Sequence, residues 1–247
     1  MFVGHNQILS TKESGTKPGT VQGSTAAVQQ LRLGINDSEI MDLSVGAEKV
    51  GIDCPFGWPD ELVDFIAAHS RREVAPRELA GSAWRRRLAY RDTDRFVRER
   101  VGRWPLSVST DRLGPMAMHC VELLSFFEDR GDIIVDRSGA DVLVEVYPRA
   151  ALRVWGVAVD GYKTELPARA SATENLQVLA PWLDLQPAHV ALMSRSDDAF
   201  DAVVAALVAR AHARGQTYGI PDHSRERAKR EGWMALPLGT IGELVHT

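Results

Sequence analysis

Apolar residues alternate with polar ones, or form short β-branched runs, in four places along the chain, and these patterns predict strands. The runs at 50–52 and 142–147 are each followed closely by a proline that ends them. A short apolar segment at 2–4 and a loosely alternating one at 25–35 predict two further strands. Residues 10–24 are rich in Gly, Ser, Thr and Lys, and are predicted to form a loop.

The remaining apolar positions follow a helical period. Asn36, with Glu39 three residues later, is typical of a capping box that begins a helix. Ser196 precedes acids and then an almost unbroken Ala/Val/Leu run, which indicates the clearest helix of the chain. Helices are predicted over 36–47, about 60–130, 149–155, 168–179 and 196–213.

Strands followed by covering helices predict an α/β fold. Since no turn-rich linker interrupts the chain, we expect a single domain over 1–247 with a helical insertion over about 60–138. The tail from 219 to 247 contains several Gly and Pro residues and is predicted to be irregular.

Composition narrows the function classes. The chain has 247 residues, 45% hydrophobic and 25% charged, which is ordinary globular composition. Its two cysteines are too few for a disulfide framework or a thiolate zinc site, and the start lacks the order of a secretory signal, so we expect a cytoplasmic protein. No apolar run is long enough to span a bilayer, and no membrane partner is expected. The net charge of −4 argues against a general polyanion binder.

Isolated acids on apolar elements are the strongest chemical signal. Asp53 follows the 50–52 strand, Glu145 lies between valines in the second β-branched run, and Asp198 and Asp201 share a helix face. Burying several carboxylates together is unfavourable unless a cation neutralises them, and all-oxygen ligands favour Mg²⁺ or Mn²⁺. Such a site suits phosphoryl chemistry. The alternatives are that the helix acids complement the helix dipole and that Asp53 caps a turn.

Positive charge is concentrated between residues 71 and 112, interleaved with Trp84, Tyr90 and Trp104. This stretch predicts a basic wall that holds phosphates, or else a solvated helix face with Arg stems over apolar surface. Within it, the segment 91–94 is a compact polar cluster. The arginines of the stretch are Arg71, Arg72, Arg77, Arg85, Arg86, Arg87, Arg91, Arg95, Arg98, Arg100, Arg103 and Arg112.

An ordered set of short motifs resembles the family called domain of unknown function 429, whose members are described as predicted RNase-H-like nucleases. The motifs are IDCPFGWP at 52–59, YRDTD at 90–94, EVYP at 145–148, GYK at 161–163, SDDAFDA at 196–202 and GW at 232–233. The resemblance implies an RNase-H-like mixed sheet with helices on both faces. In that fold Asp53 would lie beside the central first strand, Glu145 on the next strand out, and Asp198 and Asp201 on the final helix. Asn6 stands where the family's first strand usually carries an aspartate.

These observations lead to the hypothesis of a metal-dependent nuclease that uses Mg²⁺ or Mn²⁺. A nucleic acid or a nucleotide is the expected partner, and self-association into a homo-oligomer stays open. The expected catalytic and metal-binding acids are Asp53, Glu145, Asp198 and Asp201, with Asn6 as a further metal ligand. The residues expected to contact substrate are Arg91, Asp94, Lys163 and Arg169.

Two other hypotheses remain open at the level of sequence. A non-cleaving nucleic-acid or nucleotide binding protein with a degenerate site is suggested by Asn6. A small-molecule phosphotransfer enzyme is suggested by the actin-like kinases that share the RNase-H-like fold, although no glycine-rich phosphate loop is present.

Overall fold

The computed structural model of the protein divides into two compact units. The sheet unit comprises Met1–Asp53, Val146–Tyr218 and Ala235–Thr247, and the helical unit comprises Cys54–Glu145 and Gly219–Met234. The structure describes residues 2–4, 7–14, 25–73, 81–110, 112–131 and 135–245.

Seven strands lie within the described residues: β1 Phe2–Gly4, β2 Gln7–Ser14, β3 Thr25–Leu33, β4 Val50–Ile52, β5 Leu143–Val146, β6 Leu183–Asp184 and β7 Met234–Ala235. The sheet unit has the strand order β6-β3-β2-β1-β4. The first three strands form an antiparallel meander, β4 is parallel to β1, and β6 is parallel to β3. The sheet is therefore mixed, and the α/β class predicted from the sequence is confirmed.

Ten α-helices accompany the strands in the described part of the chain. They are α1 Asp37–Ser44, α2 Asp60–Ser70, α3 Ser82–Ala89, α4 Asp92–Val101, α5 Leu113–Gly131, α6 Pro148–Val154, α7 Leu166–Leu179, α8 Pro187–Arg195, α9 Asp197–Ala213 and α10 Arg225–Glu231. The predicted capping box is present at α1, where Asn36 Oδ1 accepts from Glu39 N (3.0 Å) and Glu39 Oε2 accepts from Asn36 N (3.1 Å). None of the described helices is long and apolar enough to cross a membrane.

Helix α9 is the core of the sheet unit. It contacts β1, β2, β3 and β4 as well as α6 and α8. Its small apolar residues are buried almost all round, and small side chains let its backbone lie close to the sheet. The closest approach is at Gly51 of β4, where an added Cβ would lie 2.7 Å from the carbonyl oxygen of Ala205 and 3.1 Å from Val146 Cγ2.

Substitution of Gly51 by alanine is expected to destabilise the sheet unit by about 1–3 kcal/mol, because the backbone of α9 must move to admit the methyl group. Thermal and denaturant unfolding measure the effect. Gly114→Ala is the matched control, since an added Cβ at Gly114 meets nothing within 4 Å. Equal unfolding midpoints for the two variants would contradict the close packing of α9 on β4.

One buried carboxylate connects three helices of the helical unit, α2, α4 and α10. Glu231, at the end of α10, accepts from Asp60 N with Oε1 and from Asp92 N with Oε2, each at 2.8 Å. These amides belong to the first residues of α2 and α4, whose N–H groups have no partner within their own helices. A single side chain thus caps two helices, which explains how a polar segment such as 225–231 holds a place beside them.

Three sequence predictions differ from the structure. Part of the predicted loop at 10–24 is strand, because β2 pairs with β3 from Gln7 to Ser14 through backbone groups that need no apolar pattern; residues 15–24 lie outside the described part. The tail is not wholly irregular, since α10 forms where Ala228 and Glu231 are buried. The predicted insertion at 60–138 falls inside the helical unit, which also includes residues 219–234.

His212 of α9 makes the sheet unit sensitive to acid. Burial, together with the charge of Lys49, lowers the pKa of His212 to about 4 from its ordinary value of 6.5. The unfolded chain therefore takes up a proton on this side chain below about pH 6.5, whereas the folded chain does so only near pH 4. The contribution of His212 to the unfolding free energy is therefore fully present above pH 6.5 and is lost as the pH falls from 6.5 to about 4.

We expect His212→Gln to flatten the fall in unfolding free energy between pH 6.5 and 4, measured by denaturant titration at several pH values. His223→Gln, at an exposed position, is the control and should leave the slope unchanged. The same slope in His212→Gln as in the wild type would contradict the assignment.

Candidate functional site

Acids from two elements of the sheet unit act on one lysine. Asp53 directly follows β4, and Asp201 lies one turn into α9 and is almost completely buried. Lys163 Nζ is 2.7 Å from Asp201 Oδ2, and Tyr162 donates from its hydroxyl to Asp201 Oδ1 at 2.9 Å. The structure therefore brings Asp53, Asp201 and Lys163, all singled out from the sequence, into one neighbourhood.

The electrostatics of this neighbourhood favour a charged lysine. Burial alone would lower the pKa of Lys163, but the carboxylates of Asp201 and Asp53 outweigh it and raise the pKa. Asp197 acts on Lys163 in the same direction. Burial raises the pKa of the Tyr162 hydroxyl, and the charges of Asp201 and Asp53 raise it further, so Tyr162 remains a hydrogen-bond donor. We call Asp53, Asp197, Asp201 and Lys163 the acid–lysine cluster.

Asp197 belongs to the cluster, although the sequence prediction named Asp198. Asp197 is half-buried and lies 3.8 Å from the guanidinium of Arg169, and its charge also acts on Asp201. Asp198 is exposed. Asp197 and Asp201 are four residues apart on α9, and that spacing places two side chains on one face just as three residues does, so spacing alone does not distinguish Asp197 from Asp198. Ser196 Oγ fixes the start of this helix by accepting from Ala199 N at 3.2 Å.

Arg169 binds the backbone of the loop that carries Tyr162 and Lys163, whereas the sequence predicted that Arg169 contacts substrate. Its Nε donates to the Tyr162 carbonyl at 2.8 Å and its Nη2 to the Lys163 carbonyl at 2.9 Å. Nη1 donates to the Arg195 carbonyl at 3.0 Å, just before α9. Because this guanidinium is buried and bound to three backbone carbonyls, it connects the Tyr162–Lys163 loop with the start of α9.

Arg149 is a positively charged residue near the cluster that the sequence reasoning missed. It is the second residue of α6, which begins at Pro148, two residues after the end of β5. Burial raises the pKa of both Tyr147 and Tyr162, and the charge of Asp53 acts in the same direction. The charge of Arg149 opposes this rise in both tyrosines. Arg149 is thus close enough to influence the groups that Asp53 influences.

Glu145 and Arg91 form a buried ion pair inside the helical unit. Glu145 Oε1 accepts from Arg91 Nη2 at 2.7 Å and Oε2 from Arg91 Nη1 at 2.9 Å. Oε2 also accepts from Phe56 N at 2.9 Å. Burial alone would lower the pKa of Arg91, but the carboxylates of Asp94 and Glu145 outweigh it and raise the pKa. The two oxygens of Glu145, expected to ligate a metal, are therefore already bound by a permanent cation.

Arg91 has no donor left for a substrate phosphate. Its Nε and Nη2 donate to Asp94 at 3.4 and 3.3 Å, its Nη1 and Nη2 donate to Glu145, and Nη1 also reaches the Glu231 carbonyl at 3.0 Å. These contacts use all five N–H groups of a guanidinium. Since Arg91 and Asp94 are also buried, at 3% and 1% exposure, the geometry gives them a structural role and not the predicted one.

The Gly232-Trp233 motif closes over this ion pair. Gly232 has φ +87°, and an added Cβ would lie 2.5 Å from Glu145 Oε2 and 2.9 Å from Phe56 Cβ. Only glycine meets both conditions easily, because it tolerates the left-handed region and leaves room for the carboxylate. The glycine of the motif is thus explained by its close packing against Glu145, Phe56 and Arg91.

Asn6, one of the predicted metal ligands, lies outside the described residues. Among those described, no group of three or more His, Cys, Asp or Glu side chains is arranged to hold a metal ion. In the acid–lysine cluster both oxygens of Asp201 are occupied, one by Tyr162 and one by Lys163.

Comparison with known proteins gives one match. The family model described as a protein of unknown function (DUF429) matches residues 23–226. No curated protein and no solved structure matches the chain. The family match covers most of the sheet unit and most of the helical unit, including all four members of the acid–lysine cluster. The chain belongs to the DUF429 family.

Proposed function

We propose that the protein is a metal-dependent nuclease, a phosphodiester hydrolase with an RNase-H-like sheet, and that its reaction centre is the acid–lysine cluster. The observation that carries the proposal is that carboxylates from the end of β4 and from the start of α9 act on the same ammonium group of Lys163. Carboxylates whose charges act on one ammonium group supply the all-oxygen donors that hard divalent cations prefer.

The strand order supports the RNase-H-like part of the proposal. An antiparallel β1-β2-β3 meander is followed by a helix and by β4, which runs parallel to β1. In an RNase-H-like sheet the first strand is central and acids at neighbouring strand ends meet those of the last long helix. Here α9 contacts β1, β2, β3 and β4, so an acid in the first turns of α9 lies near the sheet.

The chemistry of the donors fits Mg²⁺ or Mn²⁺. Asp53, Asp197 and Asp201 offer only carboxylate oxygens, which hard divalent cations prefer. Lys163 occupies one oxygen of Asp201, but its side chain is 43% exposed and ends a flexible stem, so it can withdraw toward solvent. A divalent ion bound by these acids would supply an activated water and neutralise charge on the phosphate.

The chain's own residues would then divide the remaining roles. Lys163, once displaced from Asp201, carries a positive charge at the edge of the cluster where a phosphate oxygen can accept from it. Arg149 is a second cation of the same neighbourhood. Tyr162 holds Asp201 in a fixed orientation, and Arg169 holds the loop that carries Tyr162 and Lys163.

The proposal is tested by incubating the purified protein with labelled single- and double-stranded DNA and RNA, with Mg²⁺, with Mn²⁺ and with EDTA. We expect cleavage that requires the metal. Even an outer-shell change at a metal site typically costs about 10–100-fold in affinity or activity, so Asp53→Asn is expected to cost at least that much.

Asp222→Asn is the matched control, because it removes the same charge at an exposed position and should leave cleavage unchanged. Cleavage that persists in EDTA, or that survives Asp53→Asn at the wild-type rate, would contradict the proposal. The oligomeric state of the active protein is read from the same preparation by light scattering.

A second candidate function is a nucleic-acid or nucleotide binding protein that does not cleave. The ammonium of Lys163 on Asp201 favours it, because a resident cation can take the structural place of a metal ion. Asn6, which lies outside the described residues, agrees with this candidate by its lack of charge. Asn6→Asp distinguishes the two: gained metal-dependent cleavage indicates a weakened nuclease, and unchanged binding without cleavage indicates a binding protein.

A further inference from the structure

The helical unit carries an exposed aromatic stack on its surface. The rings of Tyr90 and Trp104 are stacked with centroids 4.1 Å apart and an angle of 28° between their planes. Tyr90 directly follows α3, and Trp104 belongs to the segment after α4. Trp104 remains 40% exposed, so that part of its indole faces solvent although its partner ring is half-buried.

The stack is held in place by the loop that follows it. Ser107 Oγ donates to the Ala89 carbonyl at 2.6 Å, and Ser109 Oγ donates to the Leu88 carbonyl at 2.9 Å. Both acceptors are carbonyls at the end of α3, which have no partner within the helix. The segment with Trp104 is therefore fixed against α3, and the aromatic surface exists before any ligand binds.

Two exposed arginines lie close in sequence to the stacked residues. Arg86 lies one helical turn before Tyr90, whose amide donates to the Arg86 carbonyl at 3.1 Å, and Arg103 immediately precedes Trp104. Within the described ranges neither side chain forms an ion pair, whereas the neighbouring Arg87 is bound to Glu61 at 2.8 Å. α3 has no acidic residue in its first turn, and its last turn is basic.

We propose that this surface, formed by Arg86, Tyr90, Arg103 and Trp104, binds single-stranded nucleic acid. A base stacks on the exposed face of Trp104, and Arg86 and Arg103 bind the flanking phosphates. An exposed aromatic ring bordered by unpaired cations is the combination that single-strand binding proteins use. Duplex binds less well, because its bases are already stacked on one another and do not reach the indole.

This inference deepens the proposed function by naming a binding surface for its nucleic-acid substrate, but it is tested without cleavage. Binding of fluorescein-labelled oligo-dT and oligo-rU of about 12 nucleotides, within the site sizes known for such domains, is followed by anisotropy in EDTA. The two tests give separate results. Absence of metal-dependent cleavage would not change the affinity measured in EDTA, and absence of binding in EDTA would not decide whether the protein cleaves.

Trp104→Ala is expected to weaken binding by about tenfold or more. Trp104→Phe keeps a stacking ring, so its affinity should stay within about threefold of the wild type. It also removes the part of the ligand-induced quenching of tryptophan fluorescence that comes from Trp104. Arg86→Ala with Arg103→Ala should lower the slope of log affinity against log salt by about 1.4, or 0.7 per phosphate contact.

Arg225→Ala is the matched control, since Arg225 is equally exposed but already paired with Asp222 at 2.9 Å. Circular dichroism melts verify that each variant is folded. The double arginine variant changes only surface positions, so it still tests the proposal if Trp104→Ala does not fold. Unchanged affinity and salt slope in the double arginine variant, or full quenching in Trp104→Phe, would overturn the proposal. Tighter binding of duplex than of single strands would do so as well.

Discussion

Arg91→Met is expected to reduce the unfolding free energy of the helical unit by about 3–5 kcal/mol, the usual cost of removing one partner of a buried ion pair. The change leaves Glu145 and Asp94 as buried carboxylates that face no cation. It also leaves the carbonyl of Glu231 without the donor it has in the wild type. Denaturant unfolding followed by tryptophan fluorescence measures the loss.

The double variant Arg91→Met with Glu145→Met sharpens this prediction. Replacement of Glu145 as well removes one of the two buried carboxylates that Arg91→Met leaves without their cation, so the double variant should be more stable than Arg91→Met even though Asp94 remains. Arg85→Met serves as the control because Arg85 is exposed on α3. If Arg91→Met unfolded at the same denaturant concentration as Arg85→Met, Arg91 would not have the structural role assigned to it.

Lys163→Met is expected to make the stability of the sheet unit depend on divalent cations. Without Lys163, Asp201 loses the ammonium 2.7 Å from its Oδ2, while Asp197 still contributes negative charge beside Asp201. Since Lys163 is 43% exposed and solvent screens its interaction, we expect a loss of about 1–3 kcal/mol in EDTA. Mn²⁺ should restore much of this loss, because an ion that binds only the folded state stabilises it.

Thermal unfolding with increasing Mn²⁺ measures this effect in the wild type and in the variant. Lys229→Met is the control: Lys229 pairs with the exposed Glu226 on α10 at 2.8 Å, and a solvated surface pair of this kind contributes little to stability. A variant that is destabilised in EDTA but does not respond to Mn²⁺ would show that Lys163 is a purely structural cation.

Local signals in the sequence predicted much of the fold. The Asn36–Glu39 capping box lies within three residues, and both of its hydrogen bonds are present. Ser196 likewise caps α9 as its position indicates. Strand β2 escaped prediction because its pairing with β3 depends on backbone groups, which leave no mark on the pattern of apolar side chains.

The grouping of acids was only partly visible from the sequence. The sequence singled out Asp53 and Glu145 as acids that need a cation, and Glu145 is bound by the buried guanidinium of Arg91. The sequence could not tell which cation, because Arg91 lies 54 positions before Glu145 and binds it through the tertiary fold. Similarly, helical spacing allowed either Asp197 or Asp198 to accompany Asp201, and only packing of α9 on the sheet decides between them.

The most direct measurement is an anomalous difference map from a crystal of the wild-type protein soaked in Mn²⁺. A peak bounded by the carboxylates of Asp53, Asp197 and Asp201, with Lys163 moved away from Asp201, is the predicted result. Lys163 still bound to Asp201 with no anomalous peak beside it at saturating Mn²⁺ would contradict the proposal that these acids form the metal site of a nuclease.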